Sequence, residues 1–437
     1  MSGAQRAAIF GGVRTPFCRA GTDLSSLSAS DLATLVVRET LVRAGLDGSE
    51  VDEVILGCVG PDAGEANPAR VAAVRAGLPV GVPAATVGRN CASGFEAITA
   101  ASDRLAAGRG SLYVVGGTES MSNYPLSYPR EFGRVLAAAQ RARGLPAKVA
   151  AFARLRPRSF KPRVAILEGL TDPTCGLIMG KTAELLAREF RISREEQDRF
   201  ACESQNRAER AREEGRLGEE ILPVFAPEEG TNGSPRYREV RADNGIRPGQ
   251  TVEALARLRP YFETRHGTVT VGNSSQITDG ACALLLGSEE RGRALGLAPL
   301  GYLRGSAYAG CEPARMGLGP VYATARVLDR EGLALSDFER IEINEAFAAQ
   351  VLACLRAFAS ERFAREELGR PRPLGEIDPA RLNGNGGAVA LGHPVGSSGA
   401  RLVLTLLREM RRSGSRLGLA TLCVGGGQGG ALVLEAA

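Results

Sequence analysis

The chain has 437 residues, 44% hydrophobic and 24% charged, with a net charge of +5. That is a globular composition, long enough for about three domains and a large core. Tryptophan is absent and aromatics make up 5%, which argues against an aromatic-lined nucleic-acid groove, and no apolar run reaches the roughly 18 residues of a membrane helix.

Residues 7–10 read as a strand, and the short stretch before them does not read as a signal peptide. Residues 41–57 read as a helix stopped by Gly45, a capped turn, then a β-branched strand. Residues 328–344 repeat this without a gap: Gly332 matches Gly45, Leu333 matches Leu46, and Ser336 matches Ser49. A second pair, residues 90–117 and 384–427, each reads as a Gly-rich turn, a helix and a strand. Two copies of a βα unit predict a duplicated α/β domain, each copy holding a mostly parallel, buried sheet.

The middle of the chain differs. Residues 123–173 are rich in Arg and Pro. Ten Lys/Arg and one acid, Glu131, fall between Arg130 and Arg163, a solvated face or an anion-binding one. Residues 179–215 read as charged helix and residues 227–248 as polar loop. The strand signal resumes at Gly267-Thr268-Val269-Thr270-Val271-Gly272 and over residues 281–286. Residues 123–265 are therefore read as an insertion. The expected division is 1–122 plus 266–294, the insertion 123–265, and 295–437.

Four places carry chemistry. Asn90-Cys91-Ala92-Ser93-Gly94 precedes a helix ending near Gly108, so Cys91 faces the positive end of a helix dipole. That predicts an exposed thiol of lowered pKa. His393 lies in Gly392-His393-Pro394-Val395-Gly396-Ser397-Ser398-Gly399, at the entry to a helix. The chain has only one other histidine, His266, so a His-based metal site is nearly excluded and no metal is expected. Cys423 ends a strand before Gly425-Gly426-Gly427, where bare backbone N–H groups suit an oxyanion. No Lys-Ser/Thr follows, so this is not a phosphate loop. Asn344 ends the strand 341–343, with a helix-cap role as the alternative, and Glu345 beside it reads as an N-terminal charge. One reaction uses the set: a thiolate attacks an acyl carbon, a His takes the thiol proton, and a second thiol moves a proton at the α-carbon.

These islands, together with residues 267–275, resemble the thiolase family of acetyl-CoA C-acyltransferases, and the resemblance spans the chain. It implies an α/β thiolase fold, with duplicated βα domains packed as a five-layered αβαβα sandwich carrying a loop-domain insertion. It implies Cys91 as acyl-carrying nucleophile, His393 as its base and Cys423 as acid/base at the α-carbon of acetyl-CoA. Asn344 would hold a water that forms one oxyanion hole with His393; the N–H groups of Cys91 and Gly425 would form the other. Ser275 and Met179 would contact the pantetheine and CoA, with Phe347 and Gly392 beside the substrate. Coenzyme A is then a substrate, and no cofactor is bound covalently.

Asp243-Asn244-Gly245-Ile246-Arg247-Pro248 and the basic segment resemble the trifunctional-complex β-subunit type, whose insertion meets a membrane or a hydratase/dehydrogenase subunit. Against that type, Asn344 stands where those proteins carry His, and Val271-Gly272-Asn273 replaces Ala-Ala-Asn. The resemblance implies a homodimer or tetramer. Nine scattered cysteines without a Cys-x-x-Cys pair point to the reducing cytoplasm. Two other readings use the same residues differently. A ketoacyl synthase would need a second catalytic His, and it leaves Cys423 unexplained. A non-catalytic acyl-CoA-binding subunit predicts loss of Cys91, His393 or Cys423, and all three are present. The direction, thiolysis or Claisen condensation, is open, because both use the same residues.

Overall fold

The computed structural model describes residues 6–228 and 236–437. The reading of residues 1–5, and of 229–235 as polar loop, lies outside the described residues.

Nine principal strands are β1 Ala7–Arg14, β2 Glu53–Gly57, β3 Ala84–Val87, β4 Leu112–Glu119, β5 Thr278–Ser288, β6 Gly301–Gly310, β7 Arg340–Ile343, β8 Leu417–Val424 and β9 Gln428–Ala436. They follow the order β7-β8-β9-β6-β1-β5-β4-β2-β3. The first half-sheet (β1, β5, β4, β2, β3) and the second (β6, β9, β8, β7) meet at β1 and β6, where Ala7, Ala8 and Ile9 pair with Leu303, Tyr302 and Gly301.

Both sheets are mixed, which corrects the mostly parallel expectation. β2 runs parallel to β3 and β4, and β7 parallel to β8. The remaining pairs, β1/β5, β4/β5, β6/β9 and β8/β9, are antiparallel. The cause is local. β8 and β9 are joined by the tight Gly425–Gly427 turn, and a hairpin can only be antiparallel. The parallel pairs are those with a helical crossover between them.

The principal helices are α1 Ala29–Ala44, α2 Pro68–Arg75, α3 Ser93–Ala106, α4 Arg130–Arg141, α5 Leu145–Phe152, α6 Met179–Glu189, α7 Arg194–Glu213, α8 Gly319–Glu331, α9 Ala348–Ala359 and α10 Val395–Ser413. The duplication is visible in the backbone. α1 ends at Gly45 with φ 65° and α8 ends at Gly332 with φ 64°. Both are left-handed caps that favour glycine. A three-residue 3₁₀ turn and then a strand (β2 or β7) follow each cap.

Alternation along the strands builds the layers. Val54 and Leu56 of β2 pack outward with Leu32 and Val36 of α1. Ile55 packs inward with Phe95 and Ile98 of α3 and Leu402 and Leu406 of α10. In the second half, Leu432 and Leu434 of β9 face that same central layer, whereas Val433 faces Val321 and Val327 of α8. Each sheet is thus buried on both faces, and α3 and α10 share the space between them. The order is helix, sheet, helix, sheet, helix.

Between β4 and β5 the chain leaves the sheet and forms α4–α7. Two sequence expectations here are corrected. Part of the 227–248 segment is a hairpin, with Val224–Glu228 paired to Arg236–Val240. Residues 267–272 form no strand. Their N–H groups go to side chains instead: Thr268 and Val269 donate to the Glu184 carboxylate at 2.8–2.9 Å, and Thr270 donates to Asn273 Oδ1 at 2.8 Å. Side-chain acceptors replace the ladder that the alternation suggested. The insertion is tied to β1 by Arg14, which is fully buried and bonded to both Glu220 and Asp243.

Candidate active site

Cys91 sits in the turn between β3 and α3, and its residue is half-buried. It lines a cavity of about 210 Å3 together with Asn90, Met179, Gly425, Tyr124 and Val395. The lowered pKa expected for this thiol is not found. Burial pushes it up, and the N–H groups of Gly425 and of Cys91 itself, which face the sulfur, offset that only in part. Desolvation outweighs the dipole at a site this enclosed. Asn90 holds the facing loop: with φ 44° it turns its Nδ2 to donate to the Gly425 carbonyl at 2.8 Å. This bond joins the two halves of the molecule across the cavity.

His393 is buried just before α10. Its Nδ1 lies 2.6 Å from Ser398 Oγ, and Ser398 spends its own proton on the Pro394 carbonyl at 3.0 Å. Ser398 therefore accepts, Nδ1 carries the hydrogen, and Nε2 keeps its lone pair. That lone pair faces Asn344 Nδ2 at 3.5 Å, the edge of hydrogen-bond reach. Burial, with the Arg401 charge nearby, lowers the imidazole pKa to about 4. At neutral pH His393 is an uncharged base.

Asn344 caps no helix; Phe347 is the N-cap of α9. The Asn344 N–H bonds the Thr421 carbonyl at 3.0 Å, and its Oδ1 is buried without a partner among the described residues. Glu345 does not act as a charge on the following turn either. Ser204 Oγ, Asn383 Nδ2 and the Val389 N–H all donate to it, locking the insertion to the segment before His393. Cys423 is buried at the end of β8, its thiol pushed far up by desolvation and by neighbouring thiols, Cys91 first among them.

The structure thus brings Cys91, Gly425 and Met179 to one cavity wall; a Cβ at Gly425 would lie 3.5 Å from Met179 Sδ. His393 and Asn344 face each other, and Cys423, buried at the end of β8, is close enough to Cys91 to feel its charge. Ser275, Phe347 and Gly392 do not line this cavity. Ser275 donates its N–H to the Ala346 carbonyl, Phe347 packs edge-on to Phe262, and Gly392, at φ 100°, turns the chain into His393. A wider groove of about 590 Å3 holds His266, Lys181 and Arg188 but none of the reactive set.

Sequence reasoning passed over three residues. Ser398 sits inside the His393 motif but was given no role. Glu119, at the end of β4, is fully buried and accepts N–H groups from Val59, Gly60 and Gly396. Its signal was a carboxylate closing a Gly-rich apolar strand. Tyr124 follows it on the cavity wall.

Models of the thiolase N-terminal and C-terminal domains match residues 7–290 and 297–436. A 3-ketoacyl-CoA thiolase of Yersinia pestis (strain Pestoides F) is 40% identical over 432 residues, covering 98% of this chain and 97% of that protein. The acetyl-CoA acetyltransferase of Bacillus anthracis superposes with a TM-score of 0.85 at 36% identity, covering 99% of each chain. Human mitochondrial 3-ketoacyl-CoA thiolase superposes at 0.83 and 32% identity, again over 99% of each chain, and it has also been solved in complex with CoA. With sequence and backbone matched from end to end, the chain belongs to the thiolase family.

Proposed function

We propose that the protein is a 3-ketoacyl-CoA thiolase, cleaving its substrate with CoA to acetyl-CoA and a shortened acyl-CoA. The observation that carries this is the cavity at Cys91, lined by Cys91 together with Gly425, Asn90 and Met179. In this reading Cys91 Sγ attacks the C3 carbonyl as His393 Nε2 takes its proton. The Cys91 thiol is raised and the His393 imidazole lowered, so no resting ion pair forms and the proton moves as the S–C bond forms. A water held by Asn344 forms, with His393, one oxyanion hole. The C2–C3 bond breaks, and the acetyl-CoA carbanion takes a proton from Cys423. CoA then enters, its thiol proton restores Cys423, and its sulfur displaces the acyl group from Cys91, whose thiolate takes back the proton held on His393. The Cys91 and Gly425 N–H groups stabilise the oxyanion of that step. Met179, Ser275, Phe347 and Gly392 shape the CoA side.

A degradative role in cytoplasmic fatty-acid β-oxidation completes this reading, with a homodimer or tetramer as the working unit. Release of CoA-consuming activity is measured by loss of 3-ketoacyl-CoA absorbance with free CoA, for substrates from C4 to C16. Turnover at any length is the expected result; no turnover at any length, with free CoA present, contradicts the reading.

The insertion offers a docking face. α4 and α5 expose Leu136, Leu145, Val149 and Phe152 among the ten basic residues, with Phe160 just beyond. We assign this face to an anionic membrane surface, the hydratase/dehydrogenase subunit being the other occupant the resemblance implies. Sedimentation with anionic vesicles should carry the protein down at low salt and release it at high salt. Failure to bind at low salt excludes the membrane.

A further inference from the structure

The cavity beside Cys91 has a wall that the reaction itself does not use. Val59, Met121, Tyr124, Ile166 and Leu170 line it. Tyr124 is the largest of these groups, and two features fix it. One edge of its ring abuts Gly60, where a Cβ would fall 2.3 Å from Cε1 and Cζ. Its hydroxyl is close to the buried Glu119 carboxylate; burial first, and the Glu119 charge after it, push the phenol pKa up. Glu119 is itself held by the N–H groups of Gly60 and Val59 and by Gly396 on the helix behind His393. The ring is thus mounted on the same framework that carries the reacting groups.

We propose that Tyr124 is the specificity-determining residue of this site: its ring closes the acyl pocket and sets the longest chain that Cys91 accepts. This rests on Cys91 being the acyl carrier. The other four residues of this wall, Val59, Met121, Ile166 and Leu170, are apolar. Ile166 and Leu170 come from a short stretch of the insertion, so the insertion and the catalytic domain define the limit together.

The test is the ratio of kcat/KM for C12 over C4 3-ketoacyl-CoA. Tyr124→Ala opens the wall and raises this ratio at least about tenfold, since each methylene that gains a pocket contributes about tenfold or more. Gly60→Ala pushes the ring into the cavity and lowers the ratio. Tyr124→Phe keeps the ring and holds the ratio within about twofold. A ratio unmoved by Tyr124→Ala, or a rise in KM for CoA equal at all lengths, overturns the proposal and moves Tyr124 to the CoA channel. Loss of C4 turnover in both Tyr124→Ala and Gly60→Ala also overturns it, because the ring is then only structural. A wild-type protein that is not acylated by acetyl-CoA marks failure of the thiolase reading instead.

Discussion

Cys91→Ala is expected to abolish acyl transfer, and Cys423→Ala to separate its two halves. The two thiols are 332 positions apart in sequence yet close enough that a charge on Cys91 opposes ionisation of Cys423. Cys91 lines the cavity, whereas Cys423 is buried and is not among the lining residues. Only Cys91 has the access a nucleophile needs. Removing it leaves no atom to carry the acyl group, and turnover falls to background. Removing Cys423 leaves Cys91, His393 and the N–H groups of Cys91 and Gly425 in place. Acylation from acyl-CoA then survives, while exchange of the acetyl-CoA α-protons with deuterated solvent stops. Exchange at the wild-type rate in Cys423→Ala removes that residue from the mechanism.

His393→Ala should lower kcat by about 10²–10⁴-fold, the usual worth of a positioned general base. The sharper result is the acid limb. Activity requires the neutral imidazole, and burial lowers its pKa to about 4. At pH 5.5 an ordinary imidazole of pKa about 6.5 is roughly nine-tenths protonated and idle, whereas His393 still works. The limb is expected near pH 4, provided the fold persists. The stability contribution has a definite sign. The folded-state pKa lies below the unfolded one, so the unfolded chain binds the proton first. The contribution is fully present above about pH 6.5 and is lost as pH falls from there toward 4. A rate profile half-lost near pH 6.5 contradicts a buried, neutral His393. Ser398→Ala frees the Nδ1 tautomer and should lower kcat without moving KM.

What the sequence discloses depends on how local the cause is. Gly45 and Gly332 announce the duplication because a left-handed cap is a one-residue requirement, and the offset of 287 holds over a whole helix–turn–strand unit. The Cys91 turn and the His393 loop are equally local, and both are where the motifs put them. The false strand at 267–272 shows the opposite case. Its alternation is genuine, but the acceptor that takes its N–H groups is Glu184, more than 80 residues away. The thiol pKa fails for the same reason. The helix dipole is visible in five residues, whereas the burial that outweighs it comes from Gly425, Met179 and the insertion. Glu119 and Tyr124 stayed hidden because their partners, Gly60 and Gly396, lie in separate turns that only the fold brings together.

The central claim is that Cys91 carries the acyl group. The direct measurement is the intact mass of the protein after brief mixing with acetyl-CoA and an acid quench, followed by peptide mapping. The account requires one added acetyl group, on the peptide containing Cys91, discharged by free CoA and absent in Cys91→Ala. An unmodified mass, or an acetyl group on another residue that CoA still removes at the catalytic rate, contradicts it.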